Sequence, residues 1–407
     1  METVMSLMIP HLDNKRVTVM GLGKFGGGIG AAKYLASQGA IVTVTDLKTE
    51  RELSDSLAEL EGFDIRFVLG RHEMKDMTEA AMLVVSPAVP RESAYIKAAR
   101  RAGVQVTTEI GLFVDQCTAV VCGITGTNGK STTVSMLGSI LKESGLPHLV
   151  GGNIGGSLLS ELDSITANHR IALELSSFQL EWLAEMRWSP HIAAVLNVMP
   201  DHLDRHGSFE NYFAAKASIV DYQKSYNIAV LARDNPFSRS LSDRARGRVV
   251  WTGEDLSISG FTFMDGNLVI RKGNTTSVIM KASGIRVPGA HNVINALTAS
   301  ACAFEMGIGL ETIARGIGSF KGLPHRLEYI GERNGIRFYN DSKATTPDST
   351  EAGILAFDTP VIPILGGYGK TDCGTCKMGR TYRRYRSRTF FSARKCGNIV
   401  RYVRQSR

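Results

Sequence analysis

Two glycine-rich turns, each set between an apolar run and a helix, constrain this chain more than any other feature in it. In the first, "RVTVM" (Arg16 to Met20) leads into "GLGKFG" (Gly21 to Gly26), a helical stretch ends near Gly39, and "IVTVTD" (Ile41 to Asp46) follows. In the second, "VVCGITGTNGKSTTVSMLGSIL" (Val120 to Leu141), Gly123, Gly126 and Gly129 precede a helix that begins at Lys130. Val134, Leu137, Ile140 and Leu141 share one side of that helix, and Gly145 and Pro147 stop it. Strand, glycine loop, helix, strand is the unit from which parallel sheets are wound. "MLVVSPAVP" (Met82 to Pro90), "RIALEL" (Arg170 to Leu175) and "HIAAVLNV" (His191 to Val198) continue the alternation.

At 407 residues the chain is too long for one core. The expected class is α/β with three domains. A Rossmann-like N-terminal domain covers residues 1–113, and a central P-loop ATPase domain with a mostly parallel sheet covers 114–320. A truncated Rossmann-like C-terminal domain over 321–370 opens at "KGLPHRLEYI", with strands at "IRFYND" (Ile336 to Asp341) and "PVIPILGG" (Pro360 to Gly367). A basic tail occupies 371–407.

Charge separates the tail from the rest. The net charge is +8, yet Gly369 to Arg407 holds twelve Lys and Arg against Asp372 alone, which leaves the preceding 368 residues at −3. A mildly acidic body argues against nucleic acid as the main partner. No apolar run reaches the roughly 18 residues of a membrane span. The N-terminus lacks the basic start and long apolar core of a secretory signal, and six cysteines in this length suggest no disulfide framework. The expectation is a cytoplasmic monomer acting on small molecules, with no membrane and no nucleic acid.

Gly21, Gly23 and Gly26 match G-x-G-x-x-G, with Asp46 twenty residues beyond. The pattern suits any diphosphate at a helix N-terminus, NAD included, and a ligand-free tight turn is the plain alternative. The second loop departs from G-x-x-x-x-G-K-[ST], because Ile124 stands where the first glycine belongs. Its context still reads as an ATP site: glycine-freed amides and the helix dipole face phosphate, Lys130 reaches the β and γ phosphates, and the Ser131 and Thr132 hydroxyls reach Mg²⁺. Downstream, Glu174 ends a strand, Asp201 and His202 follow another, and Lys216 lies in "NYFAAKASI". Singly, each is an ordinary strand end, loop histidine or surface lysine. Together, after a phosphate loop, they suit a metal between substrate and γ-phosphate.

The loop "GITGTNGKST" resembles that of the Mur ligase family, ATP-dependent enzymes that join an amino acid to a carboxylate; related loops occur in folylpolyglutamate synthases. The likeness runs from about Val17 to Lys370. It implies an ATP site of Gly126, Thr127, Asn128, Gly129, Lys130, Ser131 and Thr132, joined by Asn292 and Asn295 of "GAHNVINALTASACA". It implies that Arg326 reaches the γ-phosphate and Asp341 the ribose. Ser131, Glu174 and His202 are then magnesium ligands, and Lys216 is carbamoylated to become another. Asn153 and Ser176 would meet the acceptor substrate, while Lys343, Thr345 and Lys370 would meet the incoming amino acid. Thr346 stands where relatives often carry asparagine. The first domain, with "GLGKFG", "SPAVP" and "TTEIGLF", resembles the branch that acts on UDP-N-acetylmuramoyl-L-alanine and D-glutamate in peptidoglycan precursor synthesis. Lys24, Phe25, Leu47 and Lys48 would then surround the UDP moiety, and the chemistry is acyl-phosphate formation followed by amine attack.

After "LGGYGK" (Leu365 to Lys370) the resemblance stops, and a shifted reading frame is the expected cause. The third domain would keep an unpaired sheet edge, and activity would suffer. Cys373, Cys376 and Cys396 suggest zinc but lack a fourth ligand at suitable spacing, and "RTYRRYRSR" suggests an RNA-binding arm. The competing readings are a folylpolyglutamate synthase-like ligase, a non-catalytic nucleotide-binding protein holding RNA, and an NAD-dependent dehydrogenase.

Overall fold

Five strands build the first sheet, buried at its centre and more exposed at its edges: β1 (Arg16–Met20), β2 (Ile41–Asp46), β3 (Ile65–Leu69), β4 (Met82–Val85) and β5 (Gln105–Thr107). They pair in the order β3-β2-β1-β4-β5, every pair parallel. The order reverses between β1 and β4, which puts the Gly21–Gly26 turn at the switch-point crevice of the sheet. The computed structural model describes residues 12–23, 26–254, 259–344, 347–365 and 391–392.

The second sheet contains β6 (Val120–Thr125), β7 (His148–Gly152), β8 (Arg170–Glu174), β9 (Ile192–Val195), β10 (Ile228–Ala232), β11 (Arg248–Gly253), β12 (Gly260–Met264), β13 (Asn267–Lys272) and β14 (Thr275–Lys281). Their order is β14-β13-β12-β11-β10-β9-β6-β8-β7, parallel from β7 through β12 and antiparallel beyond. The antiparallel end was not anticipated from the sequence. Its signal is the Asp265–Gly266 turn, both residues at positive φ (49° and 75°), a pairing that favours tight hairpins.

Side-chain alternation divides the core into two layers. On β6, Cys122 and Ile124 face Val134, Leu137 and Ile140 of helix Lys130–Ser144, together with Ala296 and Ala299 of helix Ala290–Glu305. Val121 faces the other way, into a cluster with Leu180, Tyr212 and Ala217 that continues without a break through Phe113 and Ile110 to Leu35 and Val19. Trp182, from helix Ser177–Glu185, buries its indole among Met20, Leu83, Ile96 and Ala99 of the first sheet and its helices. Arg91 and Arg100 both pair with Glu185 and both lie over the Trp182 ring. The first two units therefore share apolar core, and the helix Glu109–Gln116 runs through the expected boundary at residue 113.

The third unit begins with an antiparallel hairpin, β15 (Glu328–Arg333) and β16 (Ile336–Asn340), whose first strand takes up the end of "KGLPHRLEYI". Helix Pro347–Ile354 follows, then β17 (Ile364–Leu365), which pairs in parallel with β18 (Phe391–Ser392). The rest of the strand expected up to Gly367 and nearly all of the basic tail, including Cys373, Cys376 and Cys396, lie outside the described residues.

Candidate active site

Three neighbouring parallel strands deliver the candidate residues to one edge. β6 lies between β8 and β9, and their carboxyl ends lead respectively to the phosphate loop, to Glu174 and to the segment Asn197–His202. The strand order also reverses between β6 and β9, and ligands of open α/β sheets bind at such a point.

The loop is held from below. Gly129 has φ of +86°, a region that disfavours any Cβ, and a side chain there would also collide with Asn295 Oδ1. Asn295 Oδ1 accepts from Thr133 Oγ1 at 3.2 Å, and its Nδ2 donates to Asn292 Oδ1 at 3.0 Å, with both asparagines buried. The Asn292–Asn295 pair thus braces the start of helix Lys130–Ser144. From the side, the Asn128 amide donates to Asn197 Oδ1 at 2.9 Å, and Asn197 Nδ2 donates back to Asn128 O at 3.1 Å. The Thr127 amide donates to Asn197 O at 2.8 Å, and Thr127 Oγ1 lies 3.0 Å from Tyr212 Oη. Asn197 and Tyr212 were not singled out from the sequence. A polar residue inside the apolar run "HIAAVLNV" was the available signal for Asn197. Ser131 is buried at the first turn of the helix, and Thr132 beside it is partly exposed.

Lys130 Nζ donates to Gly126 O and Thr127 O, both at 2.9 Å. Burial lowers its pKa and Arg326 adds to the effect, against Glu174 and Asp201. Lys216 is 1% exposed, so the surface-lysine alternative fails. Its Nζ donates to Gly126 O at 2.9 Å and lies 4.8 Å from the Tyr212 ring centre. Burial pulls its pKa well below the lysine range, with repulsion from Lys130 adding and Asp201 and Glu174 opposing. Burial also pushes Tyr212 up to about 12.

Glu174 is 2% exposed, which rules out a solvated strand end. Its Oε1 accepts from Asn153 Nδ2 at 2.8 Å, while Oε2 is buried with no hydrogen-bond partner. A buried carboxylate oxygen in that state suits a cation. His202, with φ of 51°, is half-exposed, 3.6 Å from Asp201 and in ring contact with Phe178 at 5.2 Å. Among the described residues, no three His, Cys, Asp or Glu side chains converge tightly enough to hold a metal alone. Glu174 and His202 would hold a magnesium ion together with further oxygens, such as the Ser131 hydroxyl and phosphate. Ser176 caps helix Ser177–Glu185, its Oγ accepting from the Gln179 amide.

In the third unit the Arg326 Nε is buried without a partner, a donor suited to an anion. Asp341 Oδ1 accepts from the Leu327 amide at 3.1 Å, and burial raises its pKa. The exposed Lys343 is tied through its amide to His325 O at 3.1 Å. In the first unit, Asp46 Oδ2 accepts from the amides of Leu22 and Gly23 at 2.9 and 3.2 Å, and Oδ1 from the Lys48 amide at 2.9 Å. That carboxylate closes the glycine turn. Leu47, 67% exposed, and Lys48 stand beside it. Lys24, Phe25, Thr345, Thr346 and Lys370 lie outside the described residues.

A phosphate loop and a buried carboxylate at the switch point of a parallel sheet, behind a Rossmann-like unit, define a nucleotide-dependent α/β enzyme. The sequence matches the Mur ligase middle domain over residues 124–303 and the Mur ligase MurD-like N-terminal domain over 15–108. It is 39% identical over 369 residues to the UDP-N-acetylmuramoylalanine--D-glutamate ligase of Roseiflexus sp. (strain RS-1), covering 88% of this chain and 79% of that protein. It is 37% identical over 360 residues to the ligase of the same name from Geobacter metallireducens, covering 88% of this chain and 78% of that one. The UDP-N-acetylmuramate-alanine ligase of Thermotoga maritima shares the fold at 21% identity, with a TM-score of 0.58 over 93% of this chain and 85% of that one. The chain belongs to the Mur ligase family, ATP-dependent enzymes that form amide bonds. No helix among the described residues is long and apolar enough to cross a membrane.

Proposed function

We propose that this chain joins D-glutamate to UDP-N-acetylmuramoyl-L-alanine at the expense of ATP. The observation that carries the reading is the meeting of Lys130 and Lys216 on Gly126 O, beside the strand that ends in Glu174, whose Oε2 is buried and unpartnered. The similarity to ligases named for that reaction supports the choice of substrates.

A carboxylate is a poor electrophile, so the L-alanine carboxylate first attacks the γ-phosphorus of ATP and ADP leaves. The D-glutamate amine then attacks the acyl carbon, loses a proton and expels phosphate. Lys130, freed from the two carbonyls it now binds, neutralises charge on the transferring phosphoryl group. The unpartnered Arg326 Nε supports the same role. Glu174, His202, Ser131 and carbamoylated Lys216 would hold Mg²⁺, which supplies charge neutralisation at the phosphates when bound. A lysine enters such a set because a neutral amine adds to CO₂ with loss of one proton, giving a carbamate with oxygen donors. The burial and depressed pKa of Lys216 favour that neutral amine. Asn153, tied to Glu174, and Ser176 would meet the acceptor; Asn292 and Asn295 serve the nucleotide through the loop; Asp341 serves the ribose; Lys343, Thr345 and Lys370 serve D-glutamate; and Lys24, Phe25, Leu47 and Lys48 serve UDP. The first unit runs to the end of helix Glu109–Gln116, the second to about residue 320 and the third over 321–370, with the tail at 371–407. Among the described residues Cys117, Cys122 and Cys302 are free thiols, which accords with a reducing compartment.

The test is Glu174→Gln. Phosphate release falls at least about 100-fold while ATP still binds, as expected when charge stabilisation at the reacting phosphoryl group is lost. Turnover within about twofold of the unsubstituted enzyme contradicts the assignment.

A further inference from the structure

His202 poses a mechanical problem: a half-exposed imidazole on a left-handed residue must be held at one angle to serve as a ligand. Two aromatic rings neighbour it. Phe178 meets it at 5.2 Å between centres, and Tyr212 lies at 6.5 Å. Behind both sits His206, whose side chain is 1% exposed. Its ring stacks on Phe178 at 5.3 Å and 12°, and meets Tyr212 nearly edge-on at 5.3 Å and 70°. One hydrogen bond orients that ring, with Nε2 3.0 Å from Ser177 Oγ; Nδ1 lies 3.3 Å from Glu181 Oε1 but makes no hydrogen bond. Tyr212 in turn touches Thr127 of the phosphate loop and lies under Lys216 Nζ. One buried imidazole therefore backs the two aromatic walls that separate His202, Lys216 and the loop.

We infer that His206 is a positioning residue, which sets the angle of His202 through the Phe178 and Tyr212 rings without touching the metal or substrate. The inference rests on the reading of His202 as a magnesium ligand. Outer partners of metal ligands typically govern affinity by 10–100-fold.

The experiment is calorimetric titration of the full chain with Mn²⁺ in the presence of ADP, on the unsubstituted protein, His202→Ala, His206→Ala and His206→Phe, with Tm recorded for each. His206→Ala is expected to weaken Mn²⁺ about 10-fold, and His206→Phe, which keeps the flat stack, to recover to within about threefold. In turnover, His206→Ala raises the Mg²⁺ needed for half-maximal rate and leaves kcat at saturating Mg²⁺ within about twofold. Unchanged Mn²⁺ affinity in His206→Ala, with Tm lowered, makes the residue purely structural and overturns the inference. Equal weakening in the Ala and Phe variants also overturns it, because the stack would then carry nothing. If His202→Ala binds Mn²⁺ as the unsubstituted protein does, the ligand assignment itself fails and the inference goes with it. A loss in His202→Ala alone refutes only the role of His206.

Discussion

Lys130 and Lys216 direct their side-chain nitrogens at the same acceptor, the carbonyl oxygen of Gly126, each at 2.9 Å. Two full positive charges there would repel, and the one on Lys216 would also lack water. The strained partner is therefore Lys216, which is deeper and whose pKa is pulled down by burial and by Lys130.

This arrangement has a stability signature. The folded-state pKa of Lys216 lies below its unfolded value of about 10.4, so within that window the unfolded chain binds a proton that the folded chain does not. Stability then rises with pH through the window, by up to about 1.4 kcal/mol per unit from this group. In CO₂-free buffer, Lys216→Met removes that component. Urea denaturation at pH 7, 8 and 9 measures it, and parallel slopes for the two proteins would refute the depressed pKa.

Asn197 grips the phosphate loop through both polar atoms of its amide. Asn197→Ala leaves the Asn128 amide without that acceptor and is expected to lower stability by about 1–3 kcal/mol and to weaken ATP by about 10-fold. Nucleotide titration and denaturation together check it. Unaltered ATP affinity would mean that the loop holds its shape without this clamp.

Glu109 accepts from Ser157 Oγ at 2.5 Å where the first two units meet, and burial raises its pKa to about 6. Between its ordinary value of 4.5 and about 6 the folded chain holds a proton that the unfolded chain has released, so stability falls as pH rises through this window. The loss amounts to about 2 kcal/mol, and Glu109→Gln does not suffer it. Melting temperatures are expected to favour Glu109→Gln at pH 7 and to converge near pH 4. A gap that is constant with pH would contradict the shifted carboxyl.

Trp182 carries one unit's helix into the other's core. Trp182→Ala is expected to cost about 3–5 kcal/mol and to expose the first unit to limited proteolysis. Glu185→Gln, which weakens the partly exposed pairs to Arg91 and Arg100, is expected to cost at most about 1 kcal/mol. Comparable losses from both would place the join in charge instead of packing.

What could be read from the sequence was local. The turns at Gly21–Gly26 and Gly123–Gly129, the strand ends at Asp46 and Glu174 and the helix from Lys130 to Ser144 are properties of a few consecutive residues, and periodicity exposes them. The order of Glu174, His202 and Lys216 after the loop was legible for the same reason. Tertiary contact was not. Nothing local to Asp46 shows that its carboxylate turns back onto the Leu22 and Gly23 amides, and nothing local to Asn295 shows that it braces Thr133 instead of facing outward. His206, four residues from His202, reads as one more loop histidine until Ser177, Glu181 and Phe178 arrive from another helix.

The central claim is that ATP is broken to activate one substrate for the other. The most direct measurement is phosphate release from ATP with UDP-N-acetylmuramoyl-L-alanine, with D-glutamate present and absent. Sustained release is expected only when both are present. Release indifferent to D-glutamate, or none although ATP, the UDP substrate and D-glutamate all bind, would contradict it.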